Sequence, residues 1–219
     1  MTLKLYFAPG ACSFVPHTLL EASGAAFEPV LVKLHKGEQN APEYRALNPH
    51  GQVPVLVDGD AVITQILAIV GYLDAKFPQL GLLPQEPLAR ARVMETLAWM
   101  NNTVHPTFTH VFMPFKYSDK PDVQAELKAY NAQLYRPLLQ EIEALVQAAV
   151  AQGRPFLGGP QFGPLDAYAL TLLRWGGFAG IDPKGFPAAW AHVQKVAQLP
   201  PVARAIARER LQLDLTQAG

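Results

Sequence analysis

The chain has 219 residues, half of them apolar and 16% charged, and its 18 basic side chains match its 18 acidic ones. That balance excludes a disordered polyelectrolyte, which shows low hydrophobicity and a large net charge, and it speaks against a nucleic-acid binder, which carries a basic excess. The most apolar stretch, Ala61 to Leu73, is interrupted by Thr64, Gln65 and Gly71 and falls short of the roughly 20 residues of a membrane span, so no membrane partner is expected. The N-terminal residues lack the apolar run and small-residue cleavage site of a secretory signal, and a cytoplasmic location is the expectation.

Leu3 to Phe7 alternates as a strand does, Pro9-Gly10 breaks it, and from Cys12 the residues Val15, Leu19, Leu20 and Ala22 recur at helical spacing until Gly24. Phe27 to Leu34 reads as a second strand and Glu43 to Leu47 as a short helix before Asn48-Pro49. Val53 to Val57 and Ala61 to Ile63 are short strands around the hairpin signal Asp58-Gly59-Asp60, which makes them antiparallel. Thr64 stands where an N-cap belongs, and Ile66, Ile69, Val70 and Leu73 form a helical face ending before Pro78. Residues 1–80 thus read as βαβ followed by ββα, an α/β unit with a mixed four-stranded sheet.

Gly81, Pro84 and Pro87 then interrupt the pattern, which places a linker at 81–86. Beyond it the strand signals vanish. Leu88 to Tyr117 and Val123 to Gln152 read as long helices, and Leu165 to Trp175, Ala188 to Gln198 and Val202 to Leu213 as shorter ones with Pro or Gly at their edges. Residues 87–219 are therefore expected to be an all-helical bundle.

Cys12 is the only cysteine, so no internal disulfide exists and no cysteine cage for a metal can form; no metal site is legible. A lone cysteine is often a small buried hydrophobe. A position in the first turn of a helix changes the expectation, because unpaired N–H groups and the helix dipole stabilise thiolate over thiol. Ser13 beside it is either a cap or an activating hydroxyl. Val53-Pro54 leaves two readings open, an edge-strand proline or a cis bond that turns the Val53 backbone outward to pair with an extended, peptide-like ligand.

Taken together, Pro9-Gly10-Ala11-Cys12-Ser13, then Asn48-Pro49-His50-Gly51-Gln52-Val53-Pro54-Val55-Leu56, then Thr64 with Ala68-Ile69 and Tyr72-Leu73, resemble the cytosolic glutathione S-transferase family, and within it the bacterial beta class. Thr103-Val104-His105 and Gly163-Pro164-Leu165-Asp166-Ala167-Tyr168 carry the resemblance through the helical half. It implies a thioredoxin-like N-terminal domain, a helical substrate-binding domain, a homodimer, glutathione as co-substrate and a small hydrophobic electrophile as partner. By matching positions, Cys12 would face the glutathione sulfur, by hydrogen bond or mixed disulfide. Val53 and Pro54 would hold the cysteinyl backbone, with Gln52 nearby. Lys36, with His35 as neighbour, would meet the glycine carboxylate, and Gln65 and Ile66 the γ-glutamyl end, where the Ile66 N–H suits a carboxylate. His105 would line the second-substrate side. Tyr6, a rival holder of the thiolate by analogy with other classes, alternates inside the first strand and reads as packing.

Some positions depart from the family pattern. Ile66 replaces the small or hydroxyl residue common there, which removes a donor worth on the order of 1 kcal/mol and adds bulk beside the ligand. Ala98 stands where an asparagine is frequent, and His50 where a lysine is. Gly163-Pro164 in the buried helix cap costs little, since Gly is tolerated at an N-cap and Pro is favoured at N1. Phe14, Phe108, Phe112 and Trp175 are candidates for an apolar pocket wall. The expected function is transfer or exchange of the glutathione thiol with small apolar electrophiles. The alternative is a protein of the same fold that has lost turnover and serves in binding or interaction.

Overall fold

The structure, a computed structural model, describes residues 3–216. Its strands are β1 (Leu3–Phe7), β2 (Phe27–Leu31), β3 (Val55–Asp58) and β4 (Ala61–Thr64), in one sheet of order β2-β1-β3-β4. β1 runs parallel to β2 and antiparallel to β3, and β3 runs antiparallel to β4, so the sheet is mixed as expected. The alternation of β1 decides its faces. Leu3, Leu5 and Phe7 enter the main core, whereas Tyr6 joins Val32, Tyr44, Val53 and Val55 in a smaller cluster and packs edge-on against Tyr44.

The helices α1 (Phe14–Ser23), α2 (Pro42–Leu47) and α3 (Ile66–Lys76) accompany the sheet, and α4 (Pro87–Trp99), α5 (His105–Phe112), α6 (Pro121–Ala151), α7 (Pro164–Trp175), α8 (Pro187–Ala197) and α9 (Pro200–Glu209) follow. α1 is buried along most of its length because α3, α7 and α9 all pack on it, and it stops at Gly24, which adopts φ 66. α4, α6, α7, α8 and α9 all begin on proline at N1, where the missing N–H is no loss and the fixed φ already suits a helix.

Several boundaries move for physical reasons. The helix predicted to begin at Cys12 begins at Phe14, because Phe14 N–H and Val15 N–H bond back to Ala11 and Cys12 in a tighter turn. Thr64 ends β4 and is not the cap; Gln65 holds that place at φ 70. The helix predicted over 88–117 divides at a π turn, Met100–Val104, and α5 ends at Phe112. α9 stops at Arg210, whose φ of 55 is left-handed, and does not reach Leu213. Within 81–86, Leu82 and Leu83 are buried and the Leu83 N–H donates to Asp74 at 3.0 Å, so this segment is anchored to α3.

Asp166 is the hub of the helical region. Fully buried at the start of α7, it accepts from the Gly163 N–H at 3.0 Å, the Leu157 N–H at 2.9 Å and His192 Nε2 of α8 at 2.8 Å. Among the described residues, no helix is long and apolar enough to cross a membrane.

Candidate functional site

β1 delivers the chain to the turn Pro9–Ser13, and that turn is built from its own backbone. Ser13 is fully buried; its hydroxyl donates to the Ala8 carbonyl at 3.2 Å and accepts from the Ala8 N–H at 3.1 Å. Both capacities are engaged, which corrects the expectation of an activating hydroxyl: Ser13 closes the turn. Ser13→Ala orphans the buried Ala8 N–H, while the Ala8 carbonyl keeps the Ala11 N–H at 3.1 Å, and is expected to lower stability by about 1–3 kcal/mol, read from thermal unfolding.

Cys12 is 8% exposed, and its Sγ donates to the Val53 carbonyl at 3.4 Å. Burial pushes its pKa up to about 12, against the pull of the Cys12 and Ser13 backbone N–H groups and the charge of Lys116. This reverses the expectation of a thiolate. The helix end acts as the sequence suggests, but desolvation of a thiol shut into the core outweighs it.

Val53-Pro54 is cis. The carbonyl of Gln52, just ahead, accepts from Tyr44 Oη and Asn48 Nδ2, both at 2.8 Å, which fixes the Val53 loop. Among the described residues, the Val53 N–H donates to nothing in the protein. Gly51 must be glycine: at φ 60 its missing Cβ would lie 2.8 Å from the Arg45 guanidinium and 2.9 Å from the Gln39 carbonyl. That close approach sets the loop carrying His35 and Lys36 beside the Gln52–Val53 loop. Both side chains are exposed, and Lys36 makes no ion pair among the described residues.

Gln65 and Ile66 behave differently from each other. Gln65 is exposed and holds φ 70 at ψ 129, a strained conformation for a residue with a Cβ and one that functional sites tend to retain. Ile66 is 3% exposed and lies in the core, so its bulk points inward and the expected steric obstruction is corrected.

His105 opens α5 directly after the π turn, an irregularity that recurs at functional sites. A chain of hydrogen bonds assigns its tautomer. Asn101 Nδ2 donates to Asn102 at 2.8 Å, leaving Asn101 Oδ1 to accept from Tyr168 Oη at 3.1 Å; the Tyr168 oxygen then accepts from His105 Nδ1–H at 2.8 Å. The lone pair is on Nε2. Burial, helped by the charge of Lys116, lowers the His105 pKa to about 4, and the ring is neutral at ordinary pH. An unfolded histidine protonates near 6.5, so the unfolded chain binds more protons between the two values and stability falls as pH drops from about 6.5 through about 4. His105→Phe is expected to flatten that part of the curve, seen as denaturation midpoints that no longer fall between about pH 7 and pH 5.

His105 packs on Trp175 at 4.9 Å between ring centroids, and Trp175 Nε1 donates to the Gly10 carbonyl at 2.8 Å, which connects the histidine to the thiol turn. Trp175 stacks on Phe108 at 4.5 Å and Phe108 on Phe112 at 5.6 Å, leaving Phe112 47% exposed at the end of the row beside Phe178. Phe14 is core and lines nothing. Sequence reasoning missed Lys116, an exposed residue of a short turn after α5, and the Asn101–Tyr168 relay. No pattern of spacing announces either, since both act on residues far along the chain. Among the described residues, no group of three His, Cys, Asp or Glu side chains stands close enough to hold a metal ion.

Comparisons with known proteins bear on the family and the fold. The family model for "Glutathione S-transferase, N-terminal domain" matches residues 1–75. Glutathione S-transferase GstA of Escherichia coli O157:H7 is 34% identical over 213 residues, covering 95% of this chain and 100% of that protein. Among solved structures, a glutathione transferase homolog from Sulfitobacter with bound glutathione superposes with a TM-score of 0.88 at 25% identity, over 96% of this chain and 99% of that one. The bacterial beta class glutathione S-transferase of Sphingomonas chungbukensis does so with a TM-score of 0.81 at 28% identity, over 95% and 100%.

Proposed function

This chain belongs to the glutathione S-transferase family, and from that premise we propose that it is a beta-class-like transferase in which Cys12 holds the glutathione sulfur for attack on small apolar electrophiles. The observation that carries the reading is the placement of Cys12, whose S–H donates to the Val53 carbonyl at 3.4 Å; burial favours the protonated thiol, and a protonated thiol donates a hydrogen bond to a thiolate. A Cys12 thiolate would repel the glutathione sulfur. The same state disfavours Cys12 as the nucleophile of thiol–disulfide exchange, which needs the deprotonated form.

The cysteinyl backbone of glutathione pairs with the Val53 N–H and C=O in strand fashion beside Pro54. Cys12, whose Sγ lies 3.4 Å from the Val53 carbonyl, turns its S–H to the glutathione sulfur. Lys36 takes the glycine carboxylate, with Gln52 close by. The N–H groups at the start of α3, from Ile66 onward, receive the γ-glutamyl carboxylate, and Gln65 borders them. The stabilised thiolate forms its bond to the electrophilic carbon while the leaving group departs with the bonding pair. His105, neutral with its lone pair on Nε2, borders the electrophile together with the exposed end of the aromatic row.

The reading carries a cytoplasmic homodimer serving detoxification. Val62 on β4, Leu88 on α4 and Leu134 on α6, apolar side chains left exposed, support an interface, and sedimentation measures it. Calorimetric titration of the reduced protein with reduced glutathione tests the site itself. Binding in the micromolar to low millimolar range, followed by turnover of a chlorinated aromatic electrophile, is the expected result. A wild-type protein that binds no glutathione would instead favour the non-catalytic alternative.

A further inference from the structure

We propose that Glu209, the last residue of α9, is a positioning residue that sets the thiol-bearing turn from the far end of the chain. The turn ahead of Cys12 is gripped at Gly10. Its N–H donates to Glu209 Oε2 at 2.7 Å, and its carbonyl accepts from Trp175 Nε1 at 2.8 Å. Gly10 has φ 69, and an added Cβ would lie 2.6 Å from Arg174 Nη1, so the Arg174 guanidinium closes over the same backbone. The second oxygen of the Glu209 carboxylate accepts from His17 Nδ1 at 2.6 Å, in the part of α1 that follows Cys12.

One carboxylate therefore holds the chain on both sides of the thiol. The side chains of Glu209 and His17 are fully buried, where a charge-assisted hydrogen bond is stronger than a neutral one and where an unpartnered carboxylate would not persist. Glu209 also acts through its charge. It opposes ionisation of Cys12, whereas Lys116 favours it; Tyr44 and Tyr168 also interact with the thiol, and Arg174, over Gly10, faces Glu209. Burial keeps Cys12 protonated, the Glu209 charge adds to it, and the clamp on Gly10 and His17 fixes the turn from which its Sγ meets the Val53 carbonyl.

This inference rests on the reading of Cys12 as the residue facing the glutathione sulfur, and its test separates the two. Glu209→Gln keeps the shape and one acceptor and removes the charge. Cys12 is the only cysteine, so alkylation of the intact protein by iodoacetamide reports on it alone. We expect the variant to be alkylated about threefold faster than wild type near pH 8, with the midpoint of its pH profile moved down by about half a unit. Its kcat for glutathione transfer should fall roughly tenfold while the KM for glutathione changes less than about threefold. A lowered melting temperature with an alkylation profile that superimposes on wild type would show a purely structural role and overturn the proposal. Should Glu209→Gln not fold, Glu209→Asp, which keeps a carboxylate but draws it back from the Gly10 N–H, decides by the same profile: acceleration supports the clamp and superposition overturns it. A shifted profile in a protein whose wild type transfers no glutathione would leave the clamp standing and remove the transferase reading.

Discussion

Asp166→Ala is expected to cost about 3–5 kcal/mol of stability, a fall of roughly 10 °C in melting temperature for a chain of this size. The carboxylate joins three donors that nothing else satisfies: the Gly163 N–H at the head of α7, the Leu157 N–H of the preceding loop, and His192 Nε2 of α8. Alanine leaves two backbone N–H groups and an imidazole buried without partners, each costing about 1–3 kcal/mol. Partial relaxation and entry of water keep the sum below simple addition. Asp166→Asn retains an acceptor but sets an amide N–H₂ against one of these donors, so an intermediate loss is expected. Glutathione transfer per folded molecule should be unchanged. A melting curve within about 2 °C of wild type would mean that the region can satisfy these donors without the carboxylate.

Cys12→Ala carries the largest expected effect on activity. A hydrogen bond to a charged group contributes about 1.5–3 kcal/mol, so losing the S–H donor should reduce kcat/KM by roughly tenfold to a hundredfold. The sign on pH follows directly. The donor favours the glutathione thiolate over its thiol, so its removal raises the pKa of bound glutathione, and the rising limb of the pH–rate profile should move up by about one to two units. Cys12 itself adds no limb between about pH 6 and pH 9, because burial holds its own pKa near 12. Cys12→Ser keeps an O–H donor and should recover much of the rate. An alanine variant with a wild-type profile would remove Cys12 from the thiol site and direct attention to the N–H groups of the turn.

Much of the architecture was legible because its signals are local. The alternation of Leu3, Leu5 and Phe7, the Asp58-Gly59 hairpin and the prolines that open the later helices are set by backbone sterics and side-chain period within a few residues. The break between α4 and α5 was not legible. Asn101 to Val104 are weak helix formers, but weak propensity does not distinguish a π turn from a plain helix, and this π turn accompanies the contact of Asn101 and His105 with Tyr168, a partner far along the chain.

The candidate site divides along the same line. Sequence by itself named the candidates: Cys12 after Pro9-Gly10, Val53 before Pro54 and, by resemblance alone, Lys36 in the loop between them and His105 in the helical half. Only the tertiary structure decided what those residues are chemically. Cys12 sits close to a helix start and would be acidic if that end alone acted, but the core excludes water around it and the protonated form prevails. Ser13 turned inward to Ala8, Ile66 turned into the core, and burial made His105 neutral while a tyrosine and an asparagine set its tautomer. Glu209, which neither spacing nor composition marks, came to rest against Gly10 and His17. Protonation state and side-chain orientation depend on desolvation and on partners that folding brings from distant parts of the chain, and no local pattern carries that information.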